Sequence, residues 1–171
     1  MTPVLSVEGL TKRFGGVTAV DDVSFSVEAG ELLAMIGPNG AGKSTCFNLV
    51  GGQLRPDRGR VRLFDHDLVG LPPRRIWRLG VGRTFQITAV FQSMTVVENV
   101  QMALISGRGR LGAIWPKASH LYVDEGLELL SLVGMADQAD RPCSVLAYGD
   151  LKRVELAVAL ANAPKLLLMD E

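Results

Sequence analysis

The chain has 171 residues, 18 Lys plus Arg balanced by 18 Asp plus Glu, and 47% hydrophobic residues. That length and apolar content predict one ordinary globular domain with a real core rather than disorder. A formal charge of zero excludes the strongly basic balance with which free-standing nucleic-acid binders neutralise phosphates, so no nucleic-acid partner is expected.

In chain order, Val4 to Val7 and Val23 to Val27 alternate apolar with polar residues, as half-buried strands do. Leu32 to Ile36 is apolar throughout and reads as a strand covered on both faces, whereas Val61 to Leu63 returns to alternation. The first third therefore predicts an antiparallel meander against a buried parallel strand, followed by α/β crossover units. Thr95-Val96-Val97-Glu98 is a capping box opening a helix with Val97, Val100 and Leu104 on one side. Val123, Leu127, Leu130 and Leu132 or Val133 form a second apolar stripe, and Gly134 sits where a left-handed C-cap belongs. A third helix is expected from about Leu151 to Asn162, closed by Pro164, and Leu166 to Met169 reads as another buried strand. Residues from about 88 to 141 read as mostly helical, which places an inserted helical subdomain at about 88–150 of an α/β core.

Cys46 and Cys143 lie far apart, with no CxxC spacing and no histidine pair nearby. They read as two small, partly buried residues of a reducing compartment rather than a disulfide or a zinc site. The longest purely apolar run, Leu156 to Ala161, falls far short of the roughly 20 residues a membrane helix requires. Met1 to Val4 carries no basic-then-apolar leader, so a cytoplasmic location is expected.

Gly37-Pro38-Asn39-Gly40-Ala41-Gly42-Lys43-Ser44 matches GxxxxGK[ST] at every fixed position, directly after the expected strand and before a helical run from Ser44 to Val50. Three glycines let such a loop curl so that successive backbone N–H groups face phosphate oxygens, and the helix N-terminus adds partial positive charge. Lys43 would reach the β and γ phosphates, the Ser44 hydroxyl would ligate Mg²⁺, and Thr45 offers a hydroxyl near the α phosphate. Asp170 and Glu171 follow the apolar run 166–169 in the Walker B arrangement. Asp170 would hold Mg²⁺ through its water shell, and Glu171 would orient or deprotonate the water that attacks the γ phosphate.

Leu146-Ala147-Tyr148-Gly149-Asp150, at the right distance before the Walker B run, resembles the LSGGQ signature of ABC-transporter ATPases. The resemblance implies a P-loop NTPase fold of α/β class, with an N-terminal antiparallel β subdomain and an inserted helical subdomain. It also implies a dimer in which each signature closes over the γ phosphate held by the opposite P-loop. Gly149 keeps the close backbone approach, Ala147 removes the usual serine hydroxyl, and Asp150 replaces glutamine, so backbone N–H groups and the helix dipole carry the contact. Gln86, within Gly82 to Gln86, is similar to the Q-loop glutamine that ligates Mg²⁺ and senses the membrane subunits. Phe14 occupies the position of the aromatic that stacks on adenine.

The stretches "KRFGGVTAVDDVSF", "GRTFQ", "MTVVENV" and "AYGD" together resemble the ATP-binding subunit of branched-chain (hydrophobic) amino acid ABC importers. Importers of urea or other polar solutes are the near alternative, because the solute never touches this subunit. The resemblance implies ATP and Mg²⁺ as ligands, a second ABC ATPase subunit, identical or not, and two transmembrane permease subunits. It further implies a solute-binding protein acting indirectly and a peripheral place on the cytoplasmic face of the membrane. No D-loop, further strand or switch histidine follows Glu171, since His66 and His120 both precede it. The expectation is an ABC domain that is C-terminally incomplete, binding nucleotide weakly and hydrolysing little when isolated. A non-turning nucleotide-binding fragment is the second reading. A small GTPase or nucleotide kinase is the third, disfavoured because no Asn-Lys-x-Asp guanine reader occurs.

Asp65-His66-Asp67 reads as a solvated turn rather than a metal site, and Arg74, Arg75 and Arg78 as a solvated helical face. Residues 107–119 carry no mechanism that the sequence assigns; in the family this region lies near the membrane subunits.

Overall fold

The computed structural model describes residues 3–84, 90–108 and 121–169, in two compact units, 1–81 and 82–171. The first is built on an antiparallel sheet of β1 (Leu5–Phe14), β2 (Val17–Val27), β3 (Arg58–Leu63) and β4 (His66–Asp67), in the order β2-β1-β3-β4. β1 is the central strand, so β3 returns to its free edge and the sheet departs from a simple meander. The alternation in the sequence is realised at this edge: Leu5, Val7, Val61 and Leu63 are buried, while Glu8, Arg58 and Arg60 are exposed. Helix α1 (Lys43–Val50) buries Cys46, Leu49 and Val50. Helix α2 (Pro73–Arg78) buries Ile76 close to Gly52, where a Cβ would stand 2.5 Å from the Ile76 Cδ1. The arginines of α2, Arg74, Arg75 and Arg78, are exposed, as expected of a solvated face.

One expected element is corrected. Leu32 to Ile36 forms no strand, and Leu32 and Ile36 are 86% and 92% exposed. An apolar run becomes a strand only where another strand offers ladder partners, and none of the described strands pairs with this one.

The second unit contains β5 (Val81–Arg83) from its second residue onward, α3 (Val96–Gly107), α4 (Val123–Leu132), α5 (Tyr148–Leu160) and β6 (Leu166–Leu168), with β5 beside β6. Its core joins Val96, Val100 and Leu104 of α3 to Leu130 of α4, Val154 and Ala157 of α5, and Met135 and Cys143 from the connection between α4 and α5. The capping box at α3 is complete: the Thr95 side chain accepts from the Glu98 N–H, and the Glu98 carboxylate accepts from the Thr95 N–H at 2.8 Å. Gly134 adopts φ +68°, the left-handed cap expected after α4. Leu132 is exposed, so Leu130 and the half-buried Val133 carry the stripe. Helix α5 begins at Tyr148, three residues before its expected start.

Candidate nucleotide site

The loop from Gly37 to Gly42 turns on the Ala41 N–H, which donates to the Pro38 carbonyl at 3.2 Å. Gly40 and Gly42 hold φ of +83° and +86°, the left-handed region that side chains resist. Gly42 is the N-cap of α1, and a Cβ there would collide with the Ala19 carbonyl of β2. Glycine at this position therefore does two things: it lets the chain enter the helix, and it lets loop and sheet approach to backbone contact. The first intrahelical bond runs from Cys46 N–H to Gly42 carbonyl. The amides of Lys43, Ser44 and Thr45 thus form the first turn, whose N–H groups have no intrahelical acceptor. No acidic side chain lies in that turn. Its partial positive charge is left for an anion from outside.

Lys43 folds its ammonium back over the loop, where Nζ donates to the carbonyls of Gly37 at 2.5 Å and Pro38 at 2.9 Å. These weak neutral acceptors hold the cation above the curl of the loop, so a phosphate entering there meets a positioned lysine. Ser44 is exposed and Thr45 half-buried at the same helix end. The hard oxygen donor of Ser44, beside a phosphate-binding loop, fits Mg²⁺ chemistry.

Phe14 ends β1 and is 48% exposed, with Lys12 Nζ 5.6 Å from its ring centroid. In the β1–β2 ladder Phe14 pairs with Val17, Arg13 with Thr18 and Lys12 with Val20, which leaves Ala19 at an irregularity. That extra residue presents the carbonyl that abuts Gly42. The hairpin bearing the aromatic is thus keyed to the phosphate loop through one backbone group. Asp57, a residue the sequence motifs do not reveal, secures the other side. Its carboxylate accepts from the Arg13 N–H at 2.7 Å and pairs with Lys12 at 3.0 Å, while its own N–H donates to the Thr11 carbonyl. The Arg13 hydrogen bond first, and then the Lys12 ammonium, lower the Asp57 carboxyl below its ordinary value.

In the second unit the signature stretch lies at a helix N-terminus. Leu146 follows a 3-10 turn, Ala147 is the N-cap of α5 without a side-chain cap bond, and Tyr148, Gly149 and Asp150 form the first turn. Tyr148 is 63% exposed, and a Cβ at Gly149 would meet open space. The approach to the signature is fixed by Asn99, another residue without a motif. Its amide brackets Phe91, accepting from that N–H at 2.7 Å and donating to the carbonyl at 3.0 Å, and it also donates to the Thr95 carbonyl and the Cys143 Sγ. Residues 92 and 94 then accept backbone bonds from Ser144 and Cys143, directly ahead of Leu146. The signal for Asn99 was a polar residue on the buried face of α3, at the fourth position of the helix.

Asp170 and Glu171, like Gln86, lie outside the described residues. Their lead-in segments do meet: the Thr84 N–H donates to the Leu168 carbonyl at 3.0 Å, each residue standing two places before a candidate Mg²⁺ ligand in sequence. Asp65, His66 and Asp67 are exposed, and no metal-binding cluster of His, Cys, Asp or Glu occurs among the described residues. No helix among them is long and apolar enough to cross a membrane.

The family model for the ABC transporter domain matches residues 20–171. The chain is 40% identical over 177 residues to the high-affinity branched-chain amino acid transport ATP-binding protein LivG of Salmonella typhimurium, covering 99% of this chain and 69% of the relative. It is 38% identical, with the same coverage, to BraF of Pseudomonas aeruginosa, which carries the same description. Among solved structures, the ADP conformation of MJ1267, an ATP-binding cassette of an ABC transporter, superposes with a TM-score of 0.85 at 32% identity, over all of this chain and 69% of that one. CbiO1 of Clostridium perfringens, part of an ABC transporter complex, gives 0.80 at 26% identity over 66% of its length. With the phosphate loop, the signature helix and these relatives in agreement, the chain belongs to the ATP-binding domain family of ABC transporters, an α/β P-loop fold that binds ATP.

Proposed function

We propose that this chain is the ATP-hydrolysing subunit of an importer for branched-chain or related amino acids. The observation that carries the reading is the Lys43 ammonium held over a glycine loop that opens an acid-free helix end. The loop residues Gly37, Pro38, Asn39, Gly40, Ala41 and Gly42 wrap the phosphates, the backbone N–H groups of this loop and of Lys43, Ser44 and Thr45 supplying the donors except at Pro38, which has none, and Lys43 exchanges its two carbonyls for β and γ oxygens. Phe14 stacks on the base. Ser44, with Gln86 and Asp170, would hold Mg²⁺, which would supply positive charge to offset that of the β and γ phosphates. Glu171 orients the attacking water.

Leu146 to Asp150 then receives the γ phosphate held by a second ABC subunit. ATP closes this pair and hydrolysis reopens it. The motion is transmitted to two permease subunits at the cytoplasmic face of the membrane, with a solute-binding protein acting on the far side. The resemblance to LivG and BraF over nearly the whole chain supports the choice of solute class.

Two measurements test the proposal. Lys43→Ala should abolish ATP binding by calorimetry while leaving the circular-dichroism melt in place; retained micromolar affinity overturns the phosphate-loop assignment. Deleting the gene should abolish high-affinity uptake of leucine, isoleucine and valine, and unchanged uptake of all three overturns the solute class.

A further inference from the structure

Lys12 and Phe14 stand two residues apart on β1, so their side chains leave the same face of the strand. Their ladder partners on β2 are Val20 and Val17. Val20 is buried, and a Cβ on Gly42 would lie 3.5 Å from its Cγ2, so this face of the hairpin is the one that meets the phosphate loop. The Lys12 side chain is only 16% exposed. Its ammonium lies over the Phe14 ring, 5.6 Å from the centroid, and is tethered there by the Asp57 carboxylate at 3.0 Å. One side of the ring therefore carries a positioned cation, while nearly half of the residue stays open to a base at 48% exposure.

We propose that Lys12 is a positioning residue that gives the nucleotide site its preference for purine bases. The inference rests on the reading of Phe14 as the aromatic that stacks on the base. A cation over one face of a ring draws π density towards itself and leaves the opposite face less negative. Such a face attracts the electron-rich, two-ring surface of a purine more than the smaller, electron-poor ring of uracil. The same contact holds the Phe14 ring in place, so Lys12 acts on the direction of the ring as well as on its electrons. The triphosphate is outside its reach of action: the Lys12 ammonium is engaged by Asp57 and Phe14, and Lys43 stands over the loop.

The experiment titrates the full chain, K12M, K12R, F14L and the K12M/F14L double variant with Mg-ATP, Mg-UTP and inorganic tripolyphosphate by calorimetry, alongside thermal melts. K12M keeps the apolar stem and removes the charge. It should weaken ATP binding about two- to fivefold, the scale of an exposed cation–π contact. UTP should weaken less, and tripolyphosphate should bind as before. K12R should keep the parent's ATP-to-UTP ratio, and in the F14L background K12M should leave that ratio unchanged. A merely structural role predicts a lower melting temperature with all three ligands weakened together, and that pattern overturns the inference. So does an unchanged ATP-to-UTP ratio in K12M, or a full K12M effect without Phe14. If F14L weakens ATP and K12M does not, the failure belongs to Lys12 alone. If F14L leaves ATP binding as it was, the stacking role of Phe14 has itself failed, and the inference falls with it.

Discussion

Gly42 and the Ala19 carbonyl touch backbone to backbone, so the phosphate loop rests directly on the irregularity of the β1–β2 hairpin. A side chain at 42 meets both this clash and a φ of +86°, whereas one at 40 meets only an unfavourable φ, with open space around it. Gly40→Ala should cost about 1–3 kcal/mol, the usual penalty of a left-handed non-glycine. Gly42→Ala should cost more and also weaken ATP binding, because the loop and the Phe14 hairpin are pushed apart. Urea denaturation and nucleotide titration of the two variants check the order; equal effects would show that the Ala19 contact carries no weight.

Asp57 fixes the end of β1 that presents Phe14. Its folded carboxyl lies below the ordinary value of 3.8, chiefly through the Arg13 N–H and then Lys12. A depressed folded pKa means that the contribution is fully present above pH 3.8 and is lost as pH falls through the folded value. Stability should therefore fall below about pH 4 in the parent and fall less steeply in Asp57→Asn. At neutral pH Asp57→Asn should raise the Kd for ATP modestly, because Lys12 is released beneath Phe14. Melts across pH 3–7, together with ATP titrations, read both effects.

Asn99 joins four backbone and side-chain groups ahead of the signature, and it is 3% exposed. Asn99→Ala leaves the Phe91 N–H and carbonyl without this partner, at about 1 kcal/mol, the usual net worth of a hydrogen bond, because these bonds are only part-buried. Thr95→Ala removes the cap of the same helix, at about 1 kcal/mol. In a chain of this size a loss of that order lowers the melting temperature by about 2–4 °C per kcal/mol. Asn99→Ala should in addition impair ATP-driven pairing more than Thr95→Ala, because Asn99 also contacts Cys143 at the entry to the signature. Calorimetric scans and association assays separate the two.

Both cysteines are free and buried, and burial pushes the Cys46 thiol up to about 11 and raises that of Cys143. Burial shields both thiols and disfavours their thiolates, so iodoacetamide should leave the native chain unmodified over hours and alkylate both sites in denaturant. Intact-mass spectrometry reads the count directly. Rapid native alkylation at Cys46 would mean that α1, the helix opened by the phosphate loop, unfolds locally.

What the sequence by itself determined lies in a few local patterns. The glycine spacing of 37–42, the capping box at Thr95, the left-handed Gly134 and the alternation of β1 and β3 each depend on a few neighbouring residues, and each appears in the fold as read. The helix that follows residue 146 was legible too, although α5 begins at Tyr148 rather than at Leu151, because Ala147 takes the N-cap. What only the tertiary structure decided is pairing across long sequence separations. The apolar run 32–36 has the composition of a buried strand yet forms none, since a ladder needs a partner that composition does not specify. Asp57 and Asn99 belong to no motif, and they matter because folding brings them to Arg13 and Phe91, residues 44 and 8 positions away. The Ala19 carbonyl is invisible as a side chain, and its role exists only because a strand irregularity aims it at a glycine with no Cβ in the way.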